Sequence, residues 1–171
     1  MYAKIQSLLK IRGVRIAVEI CLILLVYIVL KSWIQRSMID GPAPDIQARL
    51  LDGRPFALQQ LHGKPALLHF WASWCGICKL EQDSIEAISK GHAVISIAMT
   101  SGSLDEVRQY MHDNKLSFPV INDPDGAISR TYGIRAVPAS FILNAKGEIS
   151  FKETGYTSNW GLRLRLWFAA Q

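Results

Sequence analysis

The amino-acid sequence predicts an α/β domain with a mixed central sheet flanked by helices, preceded by an apolar N-terminal segment. Two observations carry this prediction. Apolar runs typical of strands alternate with segments of helical spacing, as in α/β proteins. Two cysteines, Cys75 and Cys78, stand between one such strand and the helix that follows it. A chain of 171 residues, 50% of them hydrophobic, suffices for one domain of ordinary size and an appendage.

Local patterns define the strands and the connections between them. Asp52-Gly53-Arg54-Pro55 is a turn signal between two short extended segments, so we expect an N-terminal β-hairpin. The run A-L-L-H-F-W over residues 66–71 fits a strand buried on both faces. The expected strands are residues 46–51, 56–58, 66–71, 93–99, 118–121, 139–143 and 148–153.

Capping residues and apolar spacing define the helices. Ser103 with Glu106 three residues later is a capping box, which predicts a helix over residues 104–114. Residues 76–90 carry apolar side chains at roughly helical spacing, and Gly91 ends that helix. A brief helix is expected over residues 126–132. In the last stretch, residues 162–166 alternate like a strand, yet the N-cap residue Ser158 and four apolar residues at helical spacing favour a helix: Trp160, Leu164, Trp167 and Phe168.

The N-terminal segment predicts export. Residues 16–34 are mostly apolar and approach the length of about 20 residues that a membrane span needs. Four basic residues precede them, which favours a cytoplasmic N-terminus. Bulky and charged residues follow Leu30, so an uncleaved signal anchor is favoured over a cleaved signal peptide. We expect a basic cytoplasmic tail over 1–15, a transmembrane anchor over 16–34, a Pro/Gly spacer over 35–45 and the folded domain over 46–171.

The charge distribution argues against nucleic acid as a partner. The chain has a net charge of +5, but residues 1–36 hold six basic groups and one acidic group. Residues 37–171 hold thirteen basic and thirteen acidic groups, so the domain has no net charge to attract a phosphate backbone.

The Cys-x-x-Cys pair is the strongest chemical signal in the sequence. A helix N-terminus directly after a buried strand offers unpaired N–H groups and a partial positive charge, which stabilise a thiolate at Cys75. Cys78 lies one turn into the helix and is expected to be more buried. The pattern therefore predicts thiol–disulfide exchange, with Cys75 as nucleophile, Cys78 as the resolving thiol and their redox-active disulfide in place of a separate cofactor.

Other uses of the two cysteines fit the sequence less well. A structural disulfide across so small a loop removes little chain entropy. Haem attachment needs a histidine at position 79, which is Lys79. A structural zinc site needs four ligands, and the domain's histidines show no ligand spacing, so no metal site is predicted. A Cu(I)-binding module that uses the same two cysteines stays the alternative from another functional class, although the methionines form no cluster.

Two motifs together resemble the thioredoxin superfamily: F-W-A-S-W-C-G-I-C over residues 70–78 and Y-G-I-R-A-V-P-A-S-F-I-L-N-A-K-G over residues 132–147. With the apolar anchor and the G-P-A-P-D segment before the hairpin, the resemblance narrows to the membrane-anchored periplasmic branch. That branch contains TlpA-like proteins, cytochrome c maturation thioredoxins and suppressor-for-copper-sensitivity D proteins, of which the last are the most similar. The resemblance covers about residues 41–171.

The resemblance implies roles for residues outside the pair. It implies a cis peptide bond between Val137 and Pro138, in a loop that faces the cysteines and holds a substrate's backbone beside the disulfide. From the residues alone, Pro138 is expected to be an ordinary trans proline that starts a strand. Trp74 matches the aromatic residue that precedes the first cysteine in the family.

The sequence also departs from the family. His69 stands where thioredoxin has a buried acid, and its side chain is expected to point beneath the pair toward Cys78. There it either accepts the Cys78 proton during resolution or is a hydrogen-bonded core histidine. Gly76-Ile77 is an unusual dipeptide, and no acidic residue is evident that matches the one near the pair in cytochrome-maturation members.

Taken together, the sequence predicts a thioredoxin-like thiol–disulfide oxidoreductase on the periplasmic face of a bacterial inner membrane. Its expected partners are exported thiol or disulfide proteins and a membrane electron donor. Reduction of substrate disulfides is the favoured direction, and oxidation or isomerisation stays open.

Overall fold

The structure, a computed structural model, describes residues 2–171, with side chains described from Val14 onward. The chain divides into two compact units, one ending at Ile34 and one spanning Gln35–Gln171. The described residues of the first unit lie in helix α1, whose bounds are Tyr2–Gln35. Most of the expected tail over 1–15 lies outside the described side chains. Within the described part of the chain, no helix has the length and apolarity needed to cross a membrane. The transmembrane prediction for residues 16–34 is therefore not confirmed.

The second unit is built on a six-stranded mixed sheet. Its strands are β1 (Gly41–Pro42), β4 (Ala66–Trp71), β5 (Ala93–Met99), β6 (Val120–Asp123), β7 (Ala139–Leu143) and β8 (Glu148–Thr154). They lie in the order β1-β8-β7-β4-β5-β6, with β4, β5 and β6 parallel and the other pairs antiparallel. Strands β2 (Gln47–Arg49) and β3 (Pro55–Ala57) form the separate hairpin that the turn signal predicts. The helices are α2 (Gly76–Ser89), α3 (Leu104–Asp113), α4 (Ala127–Thr131) and α5 (Asn159–Phe168).

The central strand β4 is buried at every position, because apolar layers cover both faces of the sheet. Leu67 and Trp71 pack on the face that α2, α3 and α5 cover. Leu68 and Phe70 point the other way, into a second core with Phe56 of the hairpin. The end of β4 is thereby fixed on both sides, and the chain leaves it directly into the cysteine pair.

The thioredoxin-like α/β class and the order of elements agree with the sequence predictions. The expected strand 66–71 has those bounds, and α2 begins and ends within one residue of the expected helix 76–90. Ser103 accepts a hydrogen bond from the backbone N–H of Glu106, and the Glu106 carboxylate accepts one from the N–H of Ser103, so the predicted capping box is present.

The interpretation of residues 35–45 as a Pro/Gly spacer outside the folded domain is wrong. Met38 is buried in the second core with 4% of its surface exposed. Strand β1 pairs with β8, and the Tyr132 hydroxyl donates to the carbonyl oxygen of Pro44 at 2.6 Å. Gly133 adopts φ +68°, and a side chain there would clash with the carbonyl oxygen of Ser37 at 1.6 Å. The two prolines and the glycine of this segment therefore shape an edge of the domain.

Helical spacing identified the helices but not all of their buried residues. On α2, Ile85 and Ile88 are fully buried, whereas Leu80 is 72% exposed. On α5, the core contacts come from Leu162 and Leu166, which the alternating pattern had suggested as strand residues. The four apolar residues that favoured a helix there are all more than half exposed.

Truncation of two apolar residues of α2 distinguishes its two sides. Ile85→Ala removes a fully buried side chain from the core and should lower the free energy of unfolding by about 2–5 kcal/mol. Leu80→Ala, the matched control on the same helix, should change it by no more than about 0.5 kcal/mol because Leu80 is exposed. Urea denaturation of the oxidised protein measures both. Equal losses in the two variants would contradict the packing of α2.

Candidate functional site

The two cysteines lie where β4 ends and α2 begins. Cys75 and Cys78 are joined by a disulfide, and their Cα atoms are 5.3 Å apart. The strand fixes the start of this segment and the first turn of the helix fixes its end. The Cys-x-x-Cys spacing thereby places both sulfurs on one helical turn.

Cys75 is the N-cap residue of α2, and its Sγ accepts a hydrogen bond from the backbone N–H of Cys78 at 3.1 Å. The same N–H groups and the partial positive charge of the helix N-terminus favour a negative charge on this sulfur when the pair is reduced. Cys75 retains 7% of its surface and Cys78 only 1%. An attacking molecule therefore meets Cys75 first, and Cys78 is shielded behind it.

The Val137-Pro138 peptide bond is cis, as the resemblance implies, and not trans as the residues alone suggested. The Sγ of Cys75 lies 3.6 Å from the carbonyl oxygen of Val137. Pro138 is buried immediately before β7, and its carbonyl oxygen accepts a hydrogen bond from the N–H of Gly155. The loop is thus held against the reactive sulfur.

Trp74 is 63% exposed beside the pair, yet its indole is fixed by a hydrogen bond to the carbonyl oxygen of Thr100 at 3.0 Å. The backbone N–H of Ser73 donates to the hydroxyl of Ser101, also at 3.0 Å. These two contacts attach the segment before Cys75 to the loop that follows β5. The Trp74 ring stays largely exposed despite this attachment.

His69 is buried on β4, with 2% of its surface exposed. Its Nδ1 lies 3.0 Å from the hydroxyl of Ser140, its pairing neighbour on β7. Burial lowers the pKa of His69 to about 3, so the imidazole is neutral at physiological pH. A base of that strength is a poor acceptor for a thiol proton. The proton-transfer hypothesis for His69 stays a prediction, and the contact with Ser140 fits a hydrogen-bonded core histidine.

Glu81 is the functional candidate that the sequence analysis missed, since no acidic residue was recognised beside the pair. It lies three residues after Cys78, which places the two side chains on the same face of α2. Glu81 is 1% exposed, and its Oε1 accepts a hydrogen bond from the N–H of Thr157 at 3.1 Å. Its Oε2 is buried and has no hydrogen-bond partner among the described residues.

Burial raises the pKa of Glu81 to about 7, because removal from water disfavours the carboxylate. A buried acid with this pKa exchanges a proton near neutral pH, where a thiol must lose one to react. The sequence did contain a signal for this position. One face of the predicted helix carries Cys78, Glu81, Ile85 and Ile88. Assigning the face of Cys78 to the interior would therefore have placed Glu81 in the interior as well.

Metal ligands are not grouped around the pair. Within the described part of the chain, no three side chains of histidine, cysteine, aspartate or glutamate lie close enough to hold one ion. The Cu(I) alternative therefore rests on the two cysteines alone. What the arrangement supports chemically is two-electron exchange between a dithiol and a disulfide, with an exposed tryptophan and a fixed loop beside the attacking sulfur.

Comparison with known proteins agrees with this geometry. Residues 39–152 match the AhpC/TSA family. A thioredoxin-like protein of Haemophilus influenzae is 35% identical over 150 residues, which cover 85% of this chain and 89% of the relative. The thiol:disulfide interchange protein DsbE of Xylella fastidiosa is 28% identical over 146 residues, covering 81% of this chain and 74% of the relative.

A solved structure is similar to this chain in fold and in sequence. The crystal structure of a secreted Mycobacterium tuberculosis disulfide oxidoreductase, described as homologous to Escherichia coli DsbE, superposes with a TM-score of 0.62 at 30% identity. The match covers 72% of this chain and 95% of that one. The chain therefore belongs to the AhpC/TSA family, as a thioredoxin-like thiol–disulfide oxidoreductase with a Cys-x-x-Cys pair.

Proposed function

We propose that the protein reduces disulfides of exported proteins and is itself re-reduced by a dithiol electron donor at the membrane. The observation that carries the proposal is the position of Cys75. Its sulfur caps α2, accepts the Cys78 N–H and lies beside the Val137 carbonyl, and Cys75 is the more exposed of the two cysteines, at 7% against 1%. Such a sulfur is a stabilised thiolate when reduced and is reachable by another protein's disulfide.

The reaction proceeds by two exchanges. The Cys75 thiolate attacks one sulfur of the substrate disulfide, and the other substrate sulfur leaves as a thiolate. The Cys78 thiolate then attacks Cys75, the mixed disulfide breaks, and the substrate departs with both sulfurs reduced. Two electrons have moved to the substrate, and the protein carries the Cys75–Cys78 disulfide seen in the structure. A donor dithiol returns the pair to its reduced form by the reverse sequence.

Glu81 supports the second exchange. Cys78 is buried and must lose its proton before it attacks, and Glu81 lies one turn further along the same buried face. With a pKa of about 7, the carboxylate is about half deprotonated at neutral pH and can accept this proton. Its free Oε2 has no competing hydrogen bond among the described residues.

The proposed place of action is outside the cytoplasm, with residues 16–34 as the segment that directs export. The apolar sequence and the four preceding basic residues support this direction of insertion. The related Mycobacterium tuberculosis oxidoreductase is described as secreted, which fits the same compartment. In our proposal, the domain faces the periplasm of a bacterial inner membrane.

Single cysteine variants test the order of attack. Cys78→Ser should attack substrate disulfides through Cys75 but fail to resolve them, so mixed disulfides should accumulate. Cys75→Ser should trap none, because Cys78 is only 1% exposed. Non-reducing gels after acid quenching measure the trapped species. Equal trapping by the two variants would show that the nucleophile is wrongly assigned.

The pH dependence of resolution separates the two buried titratable groups. The wild-type rate of mixed-disulfide resolution should rise with an inflection near pH 7, because only the deprotonated Glu81 accepts a proton. Glu81→Gln should remove that inflection and slow resolution by about 10-fold or more at pH 8. His69→Asn is the matched control, since His69 stays neutral from pH 5 to 9 and contributes no inflection there.

Stopped-flow kinetics of all three proteins over pH 5–9 measures this. An unchanged profile in Glu81→Gln, with the inflection lost in His69→Asn, would assign the proton to His69 and remove Glu81 from the mechanism.

Reporter fusions test the compartment. Alkaline phosphatase joined after Gln171 should be active, because that enzyme folds only outside the cytoplasm, where disulfides form. The same fusion without residues 16–34 should be inactive. Activity of a cytoplasmic reporter at the same position would reverse the proposed location.

A further inference from the structure

Helix α5 carries large apolar side chains on the side that faces away from the core. We call them the α5 outer face, and they are between 52% and 83% exposed: Trp160, Leu164, Trp167 and Phe168. At about 3.6 residues per turn, Leu162 and Leu166 lie on the opposite side of the helix, where they pack in the core. A contiguous exposed apolar face of this kind marks a site of interaction with a protein or a membrane.

Hydrogen bonds between α5 and α2 show where this face lies on the domain. The side-chain amide of Asn159 donates to the carbonyl oxygen of Ser84 at 3.3 Å, and one turn later Arg163 donates to that of Ala87 at 3.2 Å. The two helices therefore run side by side in the same direction. The last turn of α5 lies beside the end of α2, whereas the cysteine pair lies at the start of α2.

Basic side chains adjoin α5 at this end of the domain. A cavity of about 360 Å³ is lined by Lys64, Lys90 and His92, which lie on the loops before β4 and β5. Burial lowers the pKa of His92 and the positive charge of Arg163 lowers it further, so these two side chains are close. We call the four residues the basic cluster. The carboxylate of Glu86 lies 3.9 Å from Lys90, but its side chain is only 16% exposed and accepts two other hydrogen bonds.

The α5 outer face and the basic cluster together match the chemistry of a membrane surface. Tryptophan is enriched at the interface between membrane and water, and a helix with an aromatic face and a basic flank lies in the plane of an anionic bilayer. Helix α5 contains two arginines and no acidic residue. Arg165 is paired with Glu153 at 2.6 Å, so the uncompensated positive charge lies on the side of Arg163.

Charge also distinguishes a bilayer from a second copy of the chain. Two copies that met through identical faces would bring their basic clusters toward each other, which like charges oppose. The phosphates of anionic lipid headgroups attract each lysine or arginine that comes close to the bilayer. The combination of exposed aromatic side chains and positive charge therefore favours an anionic lipid surface as the occupant.

We propose that the α5 outer face and the basic cluster dock the domain on an anionic lipid bilayer, with the apolar side chains among the acyl chains and the cations at the headgroup phosphates. The inference goes beyond the proposed function and rests on it only for a nearby bilayer, which residues 16–34 would supply. Because the docked end is opposite to the cysteine pair, Cys75 stays accessible to exported proteins while the domain lies on the membrane.

Quenching by brominated lipids tests the inference on the full-length protein in vesicles. One set of vesicles contains phosphatidylcholine alone and the other contains about 30% phosphatidylglycerol, which is anionic. Bromine in the acyl chains quenches tryptophans that reach the interface. The apolar variant is Leu164→Ser with Phe168→Ser, which keeps every tryptophan as a reporter. Its matched control is Leu104→Ser, a 40% exposed residue at the start of α3.

The charge variant is Lys64→Ser with Lys90→Ser. Its matched control, Arg49→Ser with Arg130→Ser, removes two exposed cations from the hairpin and from α4. The wild type should be quenched more strongly in the anionic vesicles, and both controls should keep this difference. The apolar variant should lose it, and the charge variant should lower the ratio of docked to undocked domain by about 30-fold. Thermal unfolding of all variants should match the wild type, because the substituted residues are exposed.

The outcomes separate this inference from the proposed function. Flotation with the anionic vesicles only would overturn the membrane anchor and support docking, whereas flotation with neither set would overturn both. Equal quenching in the two sets, or loss of the difference in either control, would overturn docking alone. A dimer found by cross-linking in phosphatidylcholine vesicles and abolished in the apolar variant would assign the face to a second copy and overturn the inference.

Discussion

The position of Cys75 at the N-cap of α2 is the constraint on which the rest of the site depends. The Cys75 sulfur occupies the position that a capping oxygen has in other helices, so α2 begins directly after Cys75. For the sulfur to reach this position, strand β4 must end at a fixed point before it. Burial of β4 on both faces fixes that point, and the hydrogen bonds of Ser73 and Trp74 to the next loop hold the segment between them. The same N–H groups that need a cap stabilise a thiolate, so folding and chemistry use one set of donors.

The fold keeps two ionisable side chains out of water, His69 and Glu81, and their surroundings make them different. His69 on β4 has a hydroxyl partner and a strongly lowered pKa, so it is a fixed neutral group. Glu81 on α2 has one oxygen bonded to a backbone N–H and one without a partner among the described residues, and its pKa is raised to about 7. Burial of an acid near a thiol is costly for stability, which is why such groups indicate function.

Much of this could be predicted from the sequence, and the misses have physical causes. The strand over 66–71, the capping box at Ser103 and the cysteine pair are encoded by neighbouring residues, and local rules find them. The docking of Met38 depends on residues a hundred positions away, so a Pro- and Gly-containing segment looked like a spacer. Glu81 was missed for a related reason. The spacing of apolar residues shows that a helix is amphipathic, but the elements that pack against the helix decide which of its faces is buried.

The two sides of α2 differ in their surroundings. The buried side carries Cys78 and Glu81, the pair to which we assign the proton transfer of resolution, while the exposed side carries Ile77 and Leu80. A side chain added at Gly76 would meet no atom within 4 Å, so core packing does not constrain that position of the dipeptide. Gly76-Ile77 differs from the dipeptides common in the family, and residues between the two cysteines influence the stability of the attacking thiolate. The dipeptide therefore acts on the redox chemistry of the pair without disturbing the core.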